Sequence, residues 1–262
     1  MIDVHCHILP GIDDGPRTID ESLDMARAFC ANGYRVAAAT PHMIPGTGWM
    51  PSVARVRNKI EELNLAIARE ELDLRIVSGM EVALDPRIPE LLDEGHLLGL
   101  GDGAWILIEP PFLHMPSGWE QIVFSVLARG FSVLLAHPER CQHLADTPGA
   151  IERLMASGVY LQANWGSIIG QYGRKAARMV SSMAENGWIH CLATDSHRAR
   201  GLDPAALKMA RDRLIDLIGE DNLALIACDN PGRVLNGGNL AAMEVKGTMA
   251  EANKARGWRF WK

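Results

Sequence analysis

The alternation of strand-like and helix-like stretches is the feature that most constrains the fold of this chain. Short apolar stretches typical of strands occupy residues 2–4, 35–40, 74–80, 105–109, 131–136, 159–164 and 190–195. Helix-like segments lie between and after them, at residues 18–33, 52–71, 119–130, 150–158, 173–187, 203–218 and 221–228. Repeated strand–helix units predict a parallel sheet covered by helices. Seven units in about 200 residues favour a distorted or incomplete barrel, with a doubly wound open sheet as the alternative.

The length and composition are typical of one large domain. The chain has 262 residues, of which 48% are hydrophobic, and this is enough for a barrel with a sizeable core. We predict one domain over residues 1–244 and a polar tail over residues 245–262. The formal net charge of −6 shows no basic groove of the kind that nucleic acid requires.

Cysteine usage and hydropathy indicate a cytoplasmic protein. Five scattered cysteines share no C-x-x-C spacing, which is typical of reduced thiols. The N-terminal stretch lacks the basic and apolar regions of a signal peptide. No apolar run reaches the roughly 18 residues of a spanning helix, so we expect no membrane insertion.

Side chains that bind metals occur at the ends of the predicted strands. They are His5, His7, His42, Glu81, Glu109, His137, Asp195 and His197. The carboxyl ends of the strands in a parallel barrel meet on one face, where active sites form. We therefore expect residues far apart in sequence to share one site. The remaining histidines, His96, His114, His143 and His190, are interpreted as surface or structurally satisfied residues.

Imidazoles together with carboxylates indicate zinc, manganese or iron(II), and a carboxylate can bridge two such ions. Glu81 and Glu109 each end an apolar strand, where a buried carboxylate is costly unless a cation offsets its charge. This pattern predicts metal-assisted hydrolysis. No Ser/His/Asp arrangement competes, and neither Cys6 nor Cys141 lies in the C-x5-R loop of a cysteine phosphatase.

Six motifs carry a resemblance to a known family: DVHCHILPGIDDG, ATPH, GMEV, IEPP, AHPER and ATDSH. They resemble motifs of the polymerase and histidinol phosphatase (PHP) superfamily, and within it those of the bacterial manganese-dependent protein-tyrosine phosphatases of capsule and exopolysaccharide operons. The similarity extends from residue 1 to about residue 237. It implies an α/β fold, a distorted (β/α)7 TIM-like barrel with its metal site at the C-terminal strand ends.

The resemblance also implies three divalent ions, with manganese as the first choice and iron or zinc as alternatives. It assigns one ion to His5, His7, Glu81 and Asp195, a second to Glu81, Glu109 and His137, and a third to Asp14, His42 and His197. Many other superfamily members have histidine where Asp14 and Glu109 stand here, so these two residues favour the tyrosine phosphatase branch. The stretch after Glu109, residues 110–119, matches the family poorly apart from the two prolines of IEPP, and we expect it to form part of the substrate rim.

Our hypothesis for the reaction is phosphomonoester hydrolysis by a hydroxide that bridges the ions sharing Glu81. Glu81, Asp195 and Arg140 are the predicted catalytic residues, with the planar guanidinium of Arg140 clamping the phosphate. The alternative for Arg140 is a salt bridge with Glu139 or another carboxylate. The implied partner is a phosphotyrosine protein, an autophosphorylating tyrosine kinase of polysaccharide export.

Three other functions stay open at this point. They are a small-molecule phosphatase such as one for histidinol phosphate, a nuclease or phosphodiesterase, and a non-catalytic metal-binding module. The helix that carries ESLDMAR (residues 21–27) could mediate homo-oligomer formation, but its amphipathic pattern fits core packing equally well.

Overall fold

The structure, a computed structural model, describes residues 1–245. The strands are Ile2–Cys6 (β1), Val36–Ala39 (β2), His42–Met43 (β3), Arg75–Val77 (β4), Glu81–Ala83 (β5), Trp105–Glu109 (β6), Ser132–Ala136 (β7), Val159–Asn164 (β8) and Cys191–Ala193 (β9). The predicted tail lies outside the described residues except for Val245.

The helices surround and follow these strands. They are Ile19–Ala31 (α1), Val53–Arg69 (α2), Ile88–Asp93 (α3), Trp119–Leu127 (α4), Gln142–Asp146 (α5), Ala150–Ala156 (α6), Trp165–Ile168 (α7), Arg174–Glu185 (α8), Pro204–Ile218 (α9), Glu220–Ala224 (α10) and Asn230–Leu235 (α11). The short helices α3, α5, α7 and α11 were not predicted, because segments of four to six residues are too short to show a helical repeat. The predicted helix at 221–228 is α10 followed by a π-helical turn, Leu225–Asp229.

All the strand pairs within residues 1–245 are parallel. One sheet has the order β1-β2-β4, and the other has the order β3-β5-β6-β7-β8-β9. The backbone N–H of Asp195 donates to the carbonyl of His5 at 2.9 Å, and that of His7 donates to the carbonyl of Ser196 at 3.0 Å. These bonds connect the end of β9 to β1. Short chain segments, residues 40–41 between β2 and β3 and residues 78–80 between β4 and β5, link one sheet to the other. The prediction of an α/β fold with parallel strands in a distorted, TIM-like arrangement is confirmed.

Two of the seven predicted strands are each followed by a second, short strand that the sequence did not predict. The stretch 35–40 forms β2, and β3 begins after Pro41. Pro41 lacks the N–H that a continuous ladder needs. The stretch 74–80 forms β4 alone, and β5 begins at Glu81. Between them a Cβ on Gly79 would lie 2.9 Å from Leu100 Cδ2 and 3.0 Å from Thr40 Cγ2. Glycine therefore permits the close approach at the bend that places Glu81 beside His42.

The side chains of the strands alternate between two buried layers. Trp105, Leu107, Leu134, Ala136, Cys191 and Ala193 belong to one apolar cluster. Their neighbours Ile106, Ile108, Val133, Leu135 and Leu192 belong to the other, which includes residues of the surrounding helices. This period of two is the strand pattern. Polar residues lie at the carboxyl ends of the strands, beyond these apolar layers, as the sequence predicts.

Helix α1 uses its apolar face for core packing. The Oγ1 of Thr18 accepts a hydrogen bond from the backbone N–H of Glu21 at its N-terminus, which caps the helix. Leu23, Met25 and Phe29 are buried in the core. The amphipathic pattern of ESLDMAR therefore has a structural explanation, and self-association through this helix stays a prediction.

His190 provides a test of the core at acid pH. Its Nδ1 accepts a hydrogen bond from the backbone N–H of Leu161 at 3.1 Å, and burial lowers its pKa to about 4. In the unfolded chain the pKa returns to about 6.5, so the unfolded state binds more protons below that pH. The contribution of neutral His190 to the free energy of unfolding is therefore fully present above pH 6.5 and is lost as the pH falls towards 4.

We expect the His190→Asn variant, whose Oδ1 can accept the same bond but cannot titrate, to lose less stability on acidification. Between pH 7.5 and pH 5.0 the difference from the parent protein should be about 2 kcal/mol. Urea unfolding of both proteins at the two pH values measures it. An equal loss in both proteins would show that His190 does not titrate on unfolding in this range.

Candidate metal centre

The nine predicted metal ligands lie together at the carboxyl ends of the strands. Four overlapping groups have ligand atoms within 4.8 Å of one another: His7, Asp14, His42 and His197; His5, His7 and Glu81; His5, His137 and Asp195; and His42, Glu81 and Glu109. Every residue of the predicted set belongs to at least one group. The structure therefore brings together all the side chains that the sequence selected, although the ions that they would hold stay a prediction.

Glu81 lies at the centre of this cluster and is buried. Its Oε1 is 3.2 Å from His5 Nε2 and 3.0 Å from His137 Nε2. Its Oε2 is 3.3 Å from His7 Nε2 and 2.9 Å from His42 Nδ1. One carboxylate thus faces four imidazoles, two on each oxygen, which is an arrangement suited to a bridging ligand.

Asp195 and Glu109 complete the inner part of the cluster. Asp195 Oδ1 is 3.4 Å from the Nε2 atoms of both His5 and His7. Glu109 Oε1 lies 3.9 Å from His137 Nε2. Both carboxylates therefore share histidine neighbours with Glu81.

The outer part of the cluster is nearer to solvent. Asp14 Oδ1 is 3.2 Å from His197 Nε2 and 3.5 Å from His42 Nε2. The side chain of Asp14 is 45% exposed and that of His197 is 30% exposed, whereas His5 and His7 are fully buried. His42 touches both Asp14 and Glu81, so it connects the inner and outer parts.

The polar atoms of the cluster fit divalent cations. His5 Nε2 and His7 Nε2 lie 3.3 Å apart, close to the separation of two ligands that each lie about 2.1 Å from one ion. Three buried atoms of the cluster have no well-directed hydrogen bond to any residue in 1–245: His42 Nδ1, Glu81 Oε2 and His137 Nδ1. The His42 Nδ1–Glu81 Oε2 pair is close but poorly aligned for a hydrogen bond, so we interpret both atoms as potential ligands of a cation.

The electrostatics of the cluster are those of strongly coupled opposite charges. Burial alone would lower the pKa of His7, but its contacts with carboxylates, Asp13 first among them, raise it well above the usual range. Burial likewise opposes the charge of Glu81, but the surrounding histidines hold its pKa well below the usual range. Burial and the charge of Glu81 raise the pKa of Glu109. The three acidic ligands of the inner part, Glu81, Glu109 and Asp195, are largely buried and require positive charge close by.

Two of the candidate ligands have an uncommon backbone conformation. His137 follows β7 with a φ of 30°, and Asp195 follows β9 with a φ of 51°. Residues other than glycine rarely occupy this left-handed region, and when they do they cluster at functional sites. The turn at each position directs a ligand towards the cluster.

Asp13 supports the cluster and was not among the predicted site residues. Its Oδ2 lies 2.8 Å from His7 Nδ1 and accepts a hydrogen bond from the backbone N–H of His42 at 3.2 Å. Burial would raise the pKa of Asp13, but the hydrogen bond and charge of His7 hold it below the usual range. A metal-bound histidine commonly donates its other N–H to a carboxylate, so the acidic pair Asp13–Asp14 was a usable signal.

A hydrogen-bonded chain supports the opposite side of the cluster. His5 Nδ1 lies 2.9 Å from Gln162 Oε1, Gln162 Nε2 donates to Asn164 Oδ1, and Asn164 Nδ2 donates to Asp195 Oδ2 at 2.9 Å. Gln162 and Asn164 both belong to β8 and are buried. These amides fix the orientation of two candidate ligands, His5 and Asp195. From the sequence, Asn164 could be placed near the site because it ends the predicted strand 159–164, whereas no sequence feature pointed to Gln162.

Arg140 lies beside the cluster, in the turn that follows His137. Its Nη1 donates to Asp195 Oδ2 at 2.5 Å. Glu139 points elsewhere, because its Oε1 accepts hydrogen bonds from Asn164 N and Ser167 Oγ. The salt-bridge alternative for Arg140 is therefore present in the structure, with Asp195 as its partner, and the phosphate clamp stays a prediction.

We expect the Asp13→Asn variant to bind metal about 10–100-fold more weakly, because His7 loses a carboxylate that orients it. Titration of the metal-free protein with Mn²⁺, followed by calorimetry, measures the change. Asp24→Asn is the matched control, since Asp24 lies on the exposed face of α1 in a surface pair with Arg27. Equal affinities of the Asp13 variant and the control would contradict the supporting role of Asp13.

Comparison with known families gives one match that covers nearly all the described chain. Residues 1–236 match the family described as capsular polysaccharide synthesis, CpsB/CapC. The chain is 34% identical to the tyrosine-protein phosphatase YwqE of Bacillus subtilis over 200 residues, which are 76% of this chain and 78% of that protein. It is 25% identical to the tyrosine-protein phosphatase CpsB of Streptococcus pneumoniae, over 90% of this chain and 98% of that protein.

Solved structures agree with this match. A structure described as YwqE of B. subtilis and CpsB of S. pneumoniae, unique metal-dependent tyrosine phosphatases, superposes with a TM-score of 0.87 at 29% identity, covering 95% of this chain and 99% of the other. A histidinol phosphate phosphatase of Lactococcus lactis has a TM-score of 0.52 at 13% identity, covering 82% and 93%. The second similarity shows a shared fold. Across residues 1–245, no helix has the length and apolar character needed to cross a membrane.

Proposed function

Because the chain belongs to the CpsB/CapC family of capsular polysaccharide synthesis, we propose that it is a metal-dependent protein-tyrosine phosphatase. The observation that carries this proposal is that nine side chains able to bind metal lie together at one end of the barrel, with Arg140 beside them. Relatives named as tyrosine phosphatases match over most of their length, and a structure described as metal-dependent superposes over 95% of the chain.

The donor set suits three divalent ions, with Mn²⁺ as the proposed metal and iron or zinc as alternatives. His5, His7, Glu81 and Asp195 would hold the first ion, Glu81, Glu109 and His137 the second, and Asp14, His42 and His197 the third. When bound, such ions supply a hydroxide nucleophile near neutral pH and offset the charge of phosphoryl oxygens.

The side chains of this protein have separate roles in the proposed reaction. Arg140 binds phosphoryl oxygens through its planar guanidinium, and the bond to Asp195 keeps that group at the cluster edge. Glu81 and Asp195 keep the donors of the inner cluster facing one another. A tyrosine leaving group has a pKa near 10, so its departure needs little help from a general acid.

The proposed substrate is a phosphotyrosine protein, and an autophosphorylating tyrosine kinase of polysaccharide biosynthesis is the proposed partner. The family description, capsular polysaccharide synthesis, supports this choice. We further propose that the reaction takes place in the cytoplasm, where such a kinase would expose its phosphotyrosines. A role in nucleic acid binding has no support from the net charge of −6.

The deciding experiment compares phosphate release from a phosphotyrosine peptide, a phosphoserine peptide and histidinol phosphate. The protein is freed of metal with a chelator and then assayed with and without Mn²⁺. We expect activity only with metal, and at least a tenfold higher kcat/KM for the phosphotyrosine peptide. A preference for histidinol phosphate would agree with the proposed metal centre and contradict the proposed phosphotyrosine substrate. Binding of metal without hydrolysis of any of the three substrates would favour a non-catalytic metal-binding module.

A further inference from the structure

Three partly exposed aromatic side chains surround the metal centre. Trp49 is 39% exposed, Phe112 is 48% exposed and Tyr172 is 38% exposed. We call these three residues the aromatic rim. They come from three separate connections, after β3, after β6 and after α7. Side chains of this size contribute strongly to binding when a ligand covers them.

Trp49 lies against the outer part of the cluster. Its ring is stacked on the imidazole of His42 with the centroids 5.0 Å apart and the planes 4° from parallel. Hydrogen bonds fix the loop that carries it, from Ile44 N to the carbonyl of Trp49 at 2.7 Å and from Trp49 N to Thr47 Oγ1 at 3.0 Å. The indole is therefore held in place beside a candidate metal ligand.

Phe112 occupies the corresponding position beside His137. Its ring is within 17° of parallel to the imidazole, with the centroids 6.1 Å apart. The backbone N–H groups of Gln142 and His143 donate to the carbonyls of Phe112 and Leu113, which anchors the loop to α5. His42 and His137 contact opposite oxygens of Glu81, so the two rings lie next to the histidines on either oxygen of the central carboxylate.

Tyr172 and Phe112 both contact the guanidinium of Arg140. The Cζ atom of Arg140 is 4.3 Å from the ring centre of Tyr172 and 4.8 Å from that of Phe112. These distances are within the range of cation–π contacts. The residue proposed to bind phosphate is thus held by two members of the aromatic rim.

We propose that the aromatic rim receives the aryl ring of the leaving group and makes the enzyme select aryl over alkyl phosphate esters. The inference rests on the proposed function, since it takes Arg140 and the metal centre as the phosphate site. A phosphoryl group bound there has its ester substituent beside the rim. An aromatic substituent gains contacts with Trp49 and Phe112, whereas the short alkyl chain of a phosphoserine gains few.

The test replaces single rings by aliphatic side chains in the full-length, Mn²⁺-loaded protein. Trp49→Leu and Phe112→Leu remove a ring, while Trp49→Phe and Phe112→Tyr retain one. Phe124→Leu is the matched surface control, because Phe124 is 66% exposed on α4. The measured quantities are kcat/KM for phenyl phosphate and for an alkyl phosphate, bound metal, and the Kd of a non-hydrolysable peptide that contains phosphonomethyl-phenylalanine.

We expect each ring-removing variant to lower the aryl-to-alkyl ratio of kcat/KM about tenfold and to weaken binding of the phosphonate peptide by a similar factor, the size expected for one lost aromatic contact. The ring-retaining variants and Phe124→Leu should keep the ratio of the parent protein within about twofold.

Several outcomes would overturn the inference. A ratio unchanged in both Leu variants would show that the rings do not contact the leaving group, and equal losses on both esters would assign them a purely structural role. Loss of bound metal in the Leu variants would show that the rings act through His42 and His137. If the parent protein hydrolyses no aryl phosphate, the proposed function fails before the rim is tested.

Discussion

Replacing Glu81 with glutamine should abolish phosphatase activity and strip the inner part of the cluster of metal. The two oxygens of Glu81 face His5, His7, His42 and His137 at 2.9–3.3 Å. An amide has the same shape, but it carries no charge and presents an NH2 group to two of these imidazoles. Because metal supplies several kcal/mol of stabilisation to phosphoryl transfer, we expect kcat/KM to fall about 10³-fold or more.

Elemental analysis of the purified variant, together with the phosphotyrosine peptide assay, measures both effects. Glu62→Gln is the matched control, since Glu62 is exposed on α2 and pairs with Lys59; such surface pairs contribute about 0–1 kcal/mol to stability. The control should retain full metal and activity. A Glu81 variant with the metal content and turnover of the parent would refute the metal centre assigned to this cluster.

The positions of the eight ligands at strand ends could be predicted because they follow from topology, whereas Asp14 was assigned only by the family resemblance. Once the strands are parallel and form a barrel, the residues at their carboxyl ends meet, whatever their separation in sequence. Glu109 and His137 illustrate this, since each lies at or just after a predicted strand end and they are 3.9 Å apart in the structure. For predicting these ligands, the position of each strand's carboxyl end was more important than the length of the strand.

The supporting residues could not be predicted in the same way, because their roles depend on local chain direction. Asp13 and Asp14 are neighbours, yet Asp13 is buried beneath His7 while Asp14 is half exposed beside His197. The backbone N–H of the next residue, Gly15, donates to Asp13 Oδ1 at 2.9 Å, and a Cβ on Gly15 would lie 2.4 Å from the carbonyl oxygen of His7. This turn holds the Asp13 carboxylate inward. Residue type and spacing do not predict it, and the family resemblance assigned Asp14 as a ligand without giving a role to Asp13.

The two short strands that were not predicted, β3 and β5, have a similar origin in tertiary contacts. The apolar stretch 74–80 has the composition of a continuous strand. At Gly79, however, the chain passes so close to Leu100 and Thr40 that a Cβ would lie within 3.0 Å of both side chains. Composition therefore predicted that a strand leads to Glu81. It could not predict that Glu81 begins a second strand, paired with His42 in β3.

Replacing Arg140 with lysine should raise KM for the phosphotyrosine peptide about 10–100-fold, even though the charge is kept. The guanidinium lies against the rings of Phe112 and Tyr172, which leaves its plane fixed beside Asp195. An ammonium group is not planar and cannot present two parallel N–H groups to a phosphate. The loss of one charge-assisted, two-point contact is about 1.5–3 kcal/mol.

The lysine variant separates the phosphate clamp from the salt-bridge alternative. If Arg140 serves only to pair with Asp195, lysine can replace that single contact, and KM should stay near the value of the parent protein while unfolding free energy changes slightly. If Arg140 clamps the phosphate, KM rises and inhibition by inorganic phosphate weakens by a similar factor. Arg129→Lys is the matched control, because Arg129 makes a two-point contact with Asp93 on the surface; that variant should leave both kinetic constants unchanged.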